Sequence, residues 1–261
     1  MSSENNDNDN DIEQLTETLS ETHISKEEKE EKEQKKKILI KYYPFICCLK
    51  EIKSLPYIDN KDSNHENKII EILEKHGFKK HILTEKLNRE ETLKWSDEPS
   101  LSEEVPELSY IYQPFGSQGN PDFIIKIHNE FVMFLEAKSA KKEKPLYNSG
   151  SVHPNYIYVL CSQKYNKTTI YKGSSIITPK AIEIINNYIE KQHKEDEEIN
   201  ELLKKEDIHH RGISYYTRPM IGQKGGAEYS DYFTHKNRER DEAYVFEWVN
   251  EQIEKMNLKK N

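Results

Sequence analysis

Two apolar segments separated by three polar residues constrain this chain more than any other feature. The first is Gly119-Asn120-Pro121-Asp122-Phe123-Ile124-Ile125-Lys126-Ile127 and the second Phe131-Val132-Met133-Phe134-Leu135-Glu136-Ala137-Lys138, joined by His128-Asn129-Glu130. Branched and aromatic residues bounded by turn formers read as strands, and a three-residue loop is a common hairpin connection. The pair is apolar on both faces. Phe131, Met133 and Leu135 share one face, Val132 and Phe134 the other. Strands buried on both sides need a covering layer above and below, which predicts an α/β fold with a mixed sheet sandwiched by helices.

The hairpin also fixes which side chains meet. With Asn129 central in the loop, residue i faces residue 258 − i, so Asp122 lies opposite Glu136. Facing residues have Cβ atoms roughly 4.5–5.5 Å apart, and carboxylates that close repel unless a proton or cation sits between them. Lys138, two residues beyond Glu136, falls on the same strand face. Two acids and a lysine together suit a hard cation such as Mg²⁺, with the lysine placed to hold or deprotonate a water.

The remaining chain is read around that centre. Only 34% of the 261 residues are hydrophobic and 33% are charged, so part of the sequence is expected to be unfolded. Residues 1–37 carry twelve acidic and six basic residues, most of the overall charge of −8, and read as a disordered acidic tail with an optional helix from Lys26 to Lys37. The folded domain is then 38–261. A near-neutral body does not exclude nucleic acid, because binding needs only a local basic surface. Cys47, Cys48 and Cys161 offer neither a disulfide pattern nor a zinc motif, and there is no signal-like or membrane-length apolar run. A reducing, cytoplasmic setting without a membrane partner is expected.

Helical spacing of Ile69, Ile70 and Leu73 before Gly77 predicts a helix over 64–76. Residues 97–118, with three prolines, read mostly as loop, with a possible strand over 108–113. Further strands are predicted at 156–161, 168–171 and 213–221. Thr178-Pro179 opens a helix to about Lys205, solvated over 191–198. A last helix covers roughly 240–256.

Pro121-Asp122, followed at a distance by Glu136-Ala137-Lys138, resembles the PD-(D/E)xK nuclease signature. The likeness extends to Gln113-Pro114-Phe115-Gly116-Ser117-Gln118-Gly119, Lys144-Pro145-Leu146-Tyr147-Asn148-Ser149-Gly150, Pro154-Asn155-Tyr156-Ile157-Tyr158-Val159, Thr168-Thr169-Ile170-Tyr171-Lys172-Gly173 and Tyr215-Tyr216-Thr217-Arg218-Pro219-Met220. Together these segments are similar to a group of type II restriction endonucleases over about residues 64–250. The resemblance implies a restriction-endonuclease-like three-layer α/β/α fold with a central mixed β-sheet. It also implies Mg²⁺ held by Asp122, Glu136 and the Ala137 carbonyl, and a Lys138 that orients the attacking water. Members often carry another acid on the first helix; Glu66, one turn before the apolar face, is the candidate, with Glu71 as fallback.

DNA contacts are sought in Ser117 and Gln118 beside the metal site, in Lys141, Lys142 and Lys144 after it, in Asn148 and Ser149, and in Arg218. Each also has a plainer role as turn, solvated loop or packing residue, as do Arg238 and Arg240 at the start of the last helix. Gly225-Gly226 reads as a flexible turn; His153, His209 and His210 read as surface histidines. The implied partners are double-stranded DNA, a second copy in a homodimer, and a DNA methyltransferase of matching specificity. A structure-specific repair or recombination nuclease, or a non-catalytic DNA-binding module, are the alternatives.

Overall fold

The computed structural model describes residues 26–58, 64–141, 144–147, 152–222 and 233–258. Its helices are α1 (Lys26–Ser54), α2 (His65–Lys75), the short α3 (Arg89–Leu93), α4 (Pro179–Glu206) and α5 (Arg238–Leu258). Its strands are β1 (Lys79–Lys80), β2 (Ser109–Tyr112), β3 (Phe123–His128), β4 (Phe131–Ala140), β5 (Leu146–Tyr147), β6 (Tyr156–Ser162), β7 (Lys167–Lys172) and β8 (Ile221–Gly222). Six strands form a mixed sheet in the order β1-β2-β3-β4-β6-β7, and β5 pairs with β8 in a separate ribbon. β4 lies parallel to β6, while β3 and β7 are antiparallel to their neighbours. No helix among the described residues is long and apolar enough to cross a membrane.

The hairpin register is the expected one: Phe123 faces Leu135, Ile124 faces Phe134, Ile125 faces Met133 and Lys126 faces Val132. Its connection differs. His128 belongs to β3, so the turn is only Asn129-Glu130, and a bulge between Lys126 and His128 absorbs the odd residue. One sheet face carries Phe123, Ile125, Met133, Leu135 and Ile157 against α1, α2 and α5, through Leu49, Ile69, Leu73 and Val249. The other carries Ile124, Val132, Phe134 and Tyr158, and is closed by Trp95, Val105 and Tyr147. Those residues come from short helical turns, loops and the β5–β8 ribbon. The expected sandwich is therefore uneven: long helices cover one face only.

Local chemistry explains the helix ends. Asn64 caps α2 by accepting the Asn67 amide at 2.8 Å, and Gly77, with φ of +90°, lets the chain turn away. Thr178 caps α4 by accepting the Ala181 amide at 3.2 Å, with Pro179 at the first helical position. α1 runs from Lys26 straight across the 37/38 position, and its first buried side chain among those described is Tyr42. Of the tail assigned to 1–37, residues 1–25 lie outside the described residues, as does Gly225-Gly226.

The strand expected over 213–221 is a correction. Only Ile221 and Gly222 pair, with Tyr147 and Leu146. Residues 207–220 instead lie along α4, whose side chains stand in for a neighbouring strand. Asn200 accepts the Tyr215 amide at 2.6 Å and donates to its carbonyl at 2.8 Å, and Asp196 accepts the Thr217 amide and hydroxyl, both at 2.7 Å.

Candidate active site

The site forms where β3 and β4 part. Beyond the Phe123–Leu135 pair β3 ends, whereas β4 continues to Ala140 alongside β6, with Glu136 beside Tyr158 and Lys138 beside Leu160. That separation leaves the amides of Asp122 and Ala137 without strand partners, and the two acids supply them. Asp122 Oδ2 accepts the Ala137 amide at 2.8 Å, and Glu136 Oε2 accepts the Asp122 amide at 3.1 Å. Each carboxylate is thus anchored to the opposing segment's backbone. Lys138 Nζ donates to Glu136 Oε1 at 2.5 Å, as strand alternation predicts for residues two apart.

Burial sets the electrostatics. Glu136 is 3% exposed, and the Lys138 side chain 12%. Desolvation, then the Glu136 and Glu66 carboxylates, push Asp122 up to about 7, against the Ala137 amide and Lys138. Burial likewise raises Glu136 above the usual carboxylate range, with the Lys138 ammonium opposing it. Two buried acids with raised proton affinity and one ammonium between them leave a deficit of positive charge.

Glu66 sits in the first turn of α2 and faces the same cavity, of about 610 Å³, as Asp122, Glu136 and Lys138. Its Oε2 accepts the Tyr112 hydroxyl at 2.6 Å and the Gln113 side-chain amide at 3.2 Å. Gln113 holds φ at +48°, the left-handed region that a non-glycine residue adopts only where its surroundings demand it. Glu71 is elsewhere, exposed and paired with Lys68 at 2.5 Å. Of the two acids considered on α2, Glu66 is the one at the cavity.

Ser117, Ala137, Lys141, Lys144 and Arg218 also line the cavity. Gln118 does not; it is exposed on the same loop. Lys142, Asn148 and Ser149 lie outside the described residues. Arg238 and Arg240 lie at the start of α5, near Glu242 at 3.8 Å and Asp241 at 3.3 Å respectively. His153 is not a loose surface residue: its ring stacks on Tyr156 at 4.4 Å, and burial pulls its pKa down to about 4. His209 and His210 are exposed as expected.

The donor set fits a hard divalent cation. It offers two carboxylates and a strand residue, Ala137, in an open polar cavity. Among the described residues no three His, Cys, Asp or Glu side chains converge tightly enough to hold an ion by themselves. Mg²⁺ commonly takes one or two carboxylates and leaves its other positions to water and phosphate, so Asp122 and Glu136 are enough side-chain donors for it.

Sequence reasoning missed the group that supports this site from behind. Arg89, at the start of α3, donates to Asn120 Oδ1 and lies over the Phe115 ring at 5.8 Å. Asn120 is 4% exposed, so the arginine braces the loop that delivers Asp122. Gly119 belongs to the same fit, because a Cβ there would come within 2.6 Å of Phe115 Cβ. Nothing in the spacing of Arg89 signals a contact with Asn120, 31 residues away. Compared with known protein-family models, curated proteins and solved structures, the chain matches none.

Proposed function

We propose that this chain is a Mg²⁺-dependent endonuclease of the type II restriction kind, hydrolysing phosphodiester bonds of double-stranded DNA at a short specific sequence. The observation that carries the reading is the reciprocal anchoring of Asp122 and Glu136, with Lys138 on Glu136 and Glu66 across the same cavity. Buried acids held this close are costly unless a cation neutralises them. The Lys141, Lys144 and Arg218 rim offers positive charge to a phosphodiester approaching that acidic floor.

Asp122, Glu136 and the Ala137 carbonyl would hold the cation. When bound, Mg²⁺ supplies charge for a phosphate oxygen and acidifies the attacking water. Lys138 orients that water and steadies the negative charge that grows on phosphorus. Glu66, fixed by Tyr112 and Gln113, keeps a third carboxylate at the cavity. In-line attack releases a 5′-phosphate and a 3′-hydroxyl. Cutting both strands of a symmetric site calls for two copies of the chain. In its host, a cytoplasmic enzyme of this kind needs a DNA methyltransferase of matching specificity.

The test is purified protein on unmethylated plasmid with Mg²⁺, with and without EDTA, followed by run-off sequencing of the ends. Discrete fragments with one recurring sequence at the ends uphold the reading. Cutting only at branched substrates would reassign it to repair or recombination, and binding without Mg²⁺-dependent nicking would reduce it to a DNA-binding module.

A further inference from the structure

α4 is 28 residues long, yet none of its residues is buried. Its half-buried positions include Ile185, Ile189, Asp196, Asn200 and Leu203, of which Asp196 and Asn200 bond the returning segment 207–220. About 100° around the helix runs a second stripe, Ile184, Tyr188, Lys191, Glu195, Ile199 and Leu202, at steps of three or four residues. Its four apolar members are exposed, with Ile184 60%, Tyr188 61%, Ile199 42% and Leu202 61% accessible. A seam with exposed apolar pairs at both ends of a helix marks a contact surface.

The stripe is complementary to itself. Turned end for end about His193, it sets Ile184 on the partner's Leu202, Tyr188 beside the partner's Ile199, and Lys191 on the partner's Glu195. Neither Lys191 nor Glu195 forms an ion pair among the described residues. The same two-fold arrangement sets Lys180 against the partner's Glu206. A seam with apolar ends and a crossed Lys–Glu centre is what an isologous contact requires, because each contact occurs twice. DNA is a poorer occupant, since α4 carries eight acidic residues against five lysines, four of the acids consecutive from Glu195 to Glu198.

We propose that α4 is a self-association surface on which two copies of this chain dock antiparallel about a two-fold axis at His193. The segment 207–220, braced on α4, delivers Arg218 to the catalytic cavity, so this contact would tie the partner's position to the site. The inference gives a surface to the homodimer of the nuclease reading and rests on that reading for its biological sense, but association tests it without any cutting.

The experiment is sedimentation velocity of the full chain over a dilution series. The wild type should run as a dimer. Lys191→Glu and Glu195→Lys should each weaken association roughly tenfold or more, and the double swap should restore it. Ile184→Asp with Leu202→Asp should give a monomer that keeps the folded far-UV circular dichroism and unfolds earlier only by what association contributed. A wild type that stays monomeric overturns the surface, whether or not Mg²⁺ stabilises the protein. So does a double swap that fails to recover, or single swaps that change DNA affinity but not mass. A dimer that obeys the charge swap upholds the surface even if no DNA is cut.

Discussion

The parting of β3 and β4 and the α4 arm satisfy the same backbone requirement in opposite surroundings. At the parting, the amides left over by the sheet are taken by Asp122 and Glu136, over a floor in which Leu135, Tyr158 and Leu160 are almost fully buried. On the arm, the amides of 215 and 217 are taken by Asn200 and Asp196, but Ile208, Ile213 and Tyr216 remain exposed. Side-chain satisfaction of spare backbone amides is therefore shared by the two regions, and apolar burial belongs to the first. Where both occur, charge is trapped out of water; where only the first occurs, apolar side chains stay exposed.

The comparison can be broken most directly at the trapped charge. Asp122→Ala and Lys138→Ala should each cut the cleavage rate by roughly 10²–10³-fold or more, with DNA binding in Ca²⁺ largely retained; unchanged cutting by either variant removes the site. Next comes packing. Leu160→Ala, beside Lys138 on β6, should cost about 2–5 kcal/mol in denaturant unfolding, whereas Leu202→Ala on the arm should stay within about 0.5 kcal/mol. Equal losses would mean the arm is part of the core.

A subtler test uses pH. Asp122 titrates near 7 in the fold against an ordinary 3.8, so the folded chain holds a proton that unfolding releases. Metal-free stability should then fall as pH rises from about 4 to about 7, by at most ~1.4 kcal/mol per unit. Asp122→Asn should flatten that slope in urea unfolding with EDTA; an equally steep slope in the variant sinks the assignment. Mg²⁺ should raise the wild-type Tm more as pH climbs through the same window, because it displaces the proton. Smallest of all, Asn200→Ala should speed amide exchange at Tyr215 while leaving the exchange of β4 unchanged.

Much of the site could be read before the fold because strands have a period of two. Given one turn and an apolar pattern on both faces, the register followed, and with it the meeting of Asp122, Glu136 and Lys138. Glu66 was visible through helical spacing from Ile69 and Ile70. The rest depends on contacts without periodicity. Arg89 reaches Asn120 through loop geometry alone. The strand expected over 213–221 has suitable residues, but Asn200 and Asp196 offer its backbone another partner, and side-chain substitutes for a strand leave no pattern. The second face of the sheet is closed by Trp95 and Val105 from a proline-rich stretch, whose composition suggests loop and says nothing of what it covers.

The bulge near Ile127 has an evolutionary consequence. Surface turns usually tolerate insertions and deletions, but here the Asn129-Glu130 turn and its extra residue act as a ruler. Losing or gaining one residue would slide β3 along β4 by a step and swing one acid to the helix-covered side. The turn lies six residues from Glu136, roughly 20 Å along the strand. Descendants of this chain should therefore vary the amino acids of that distant corner freely while keeping its length fixed.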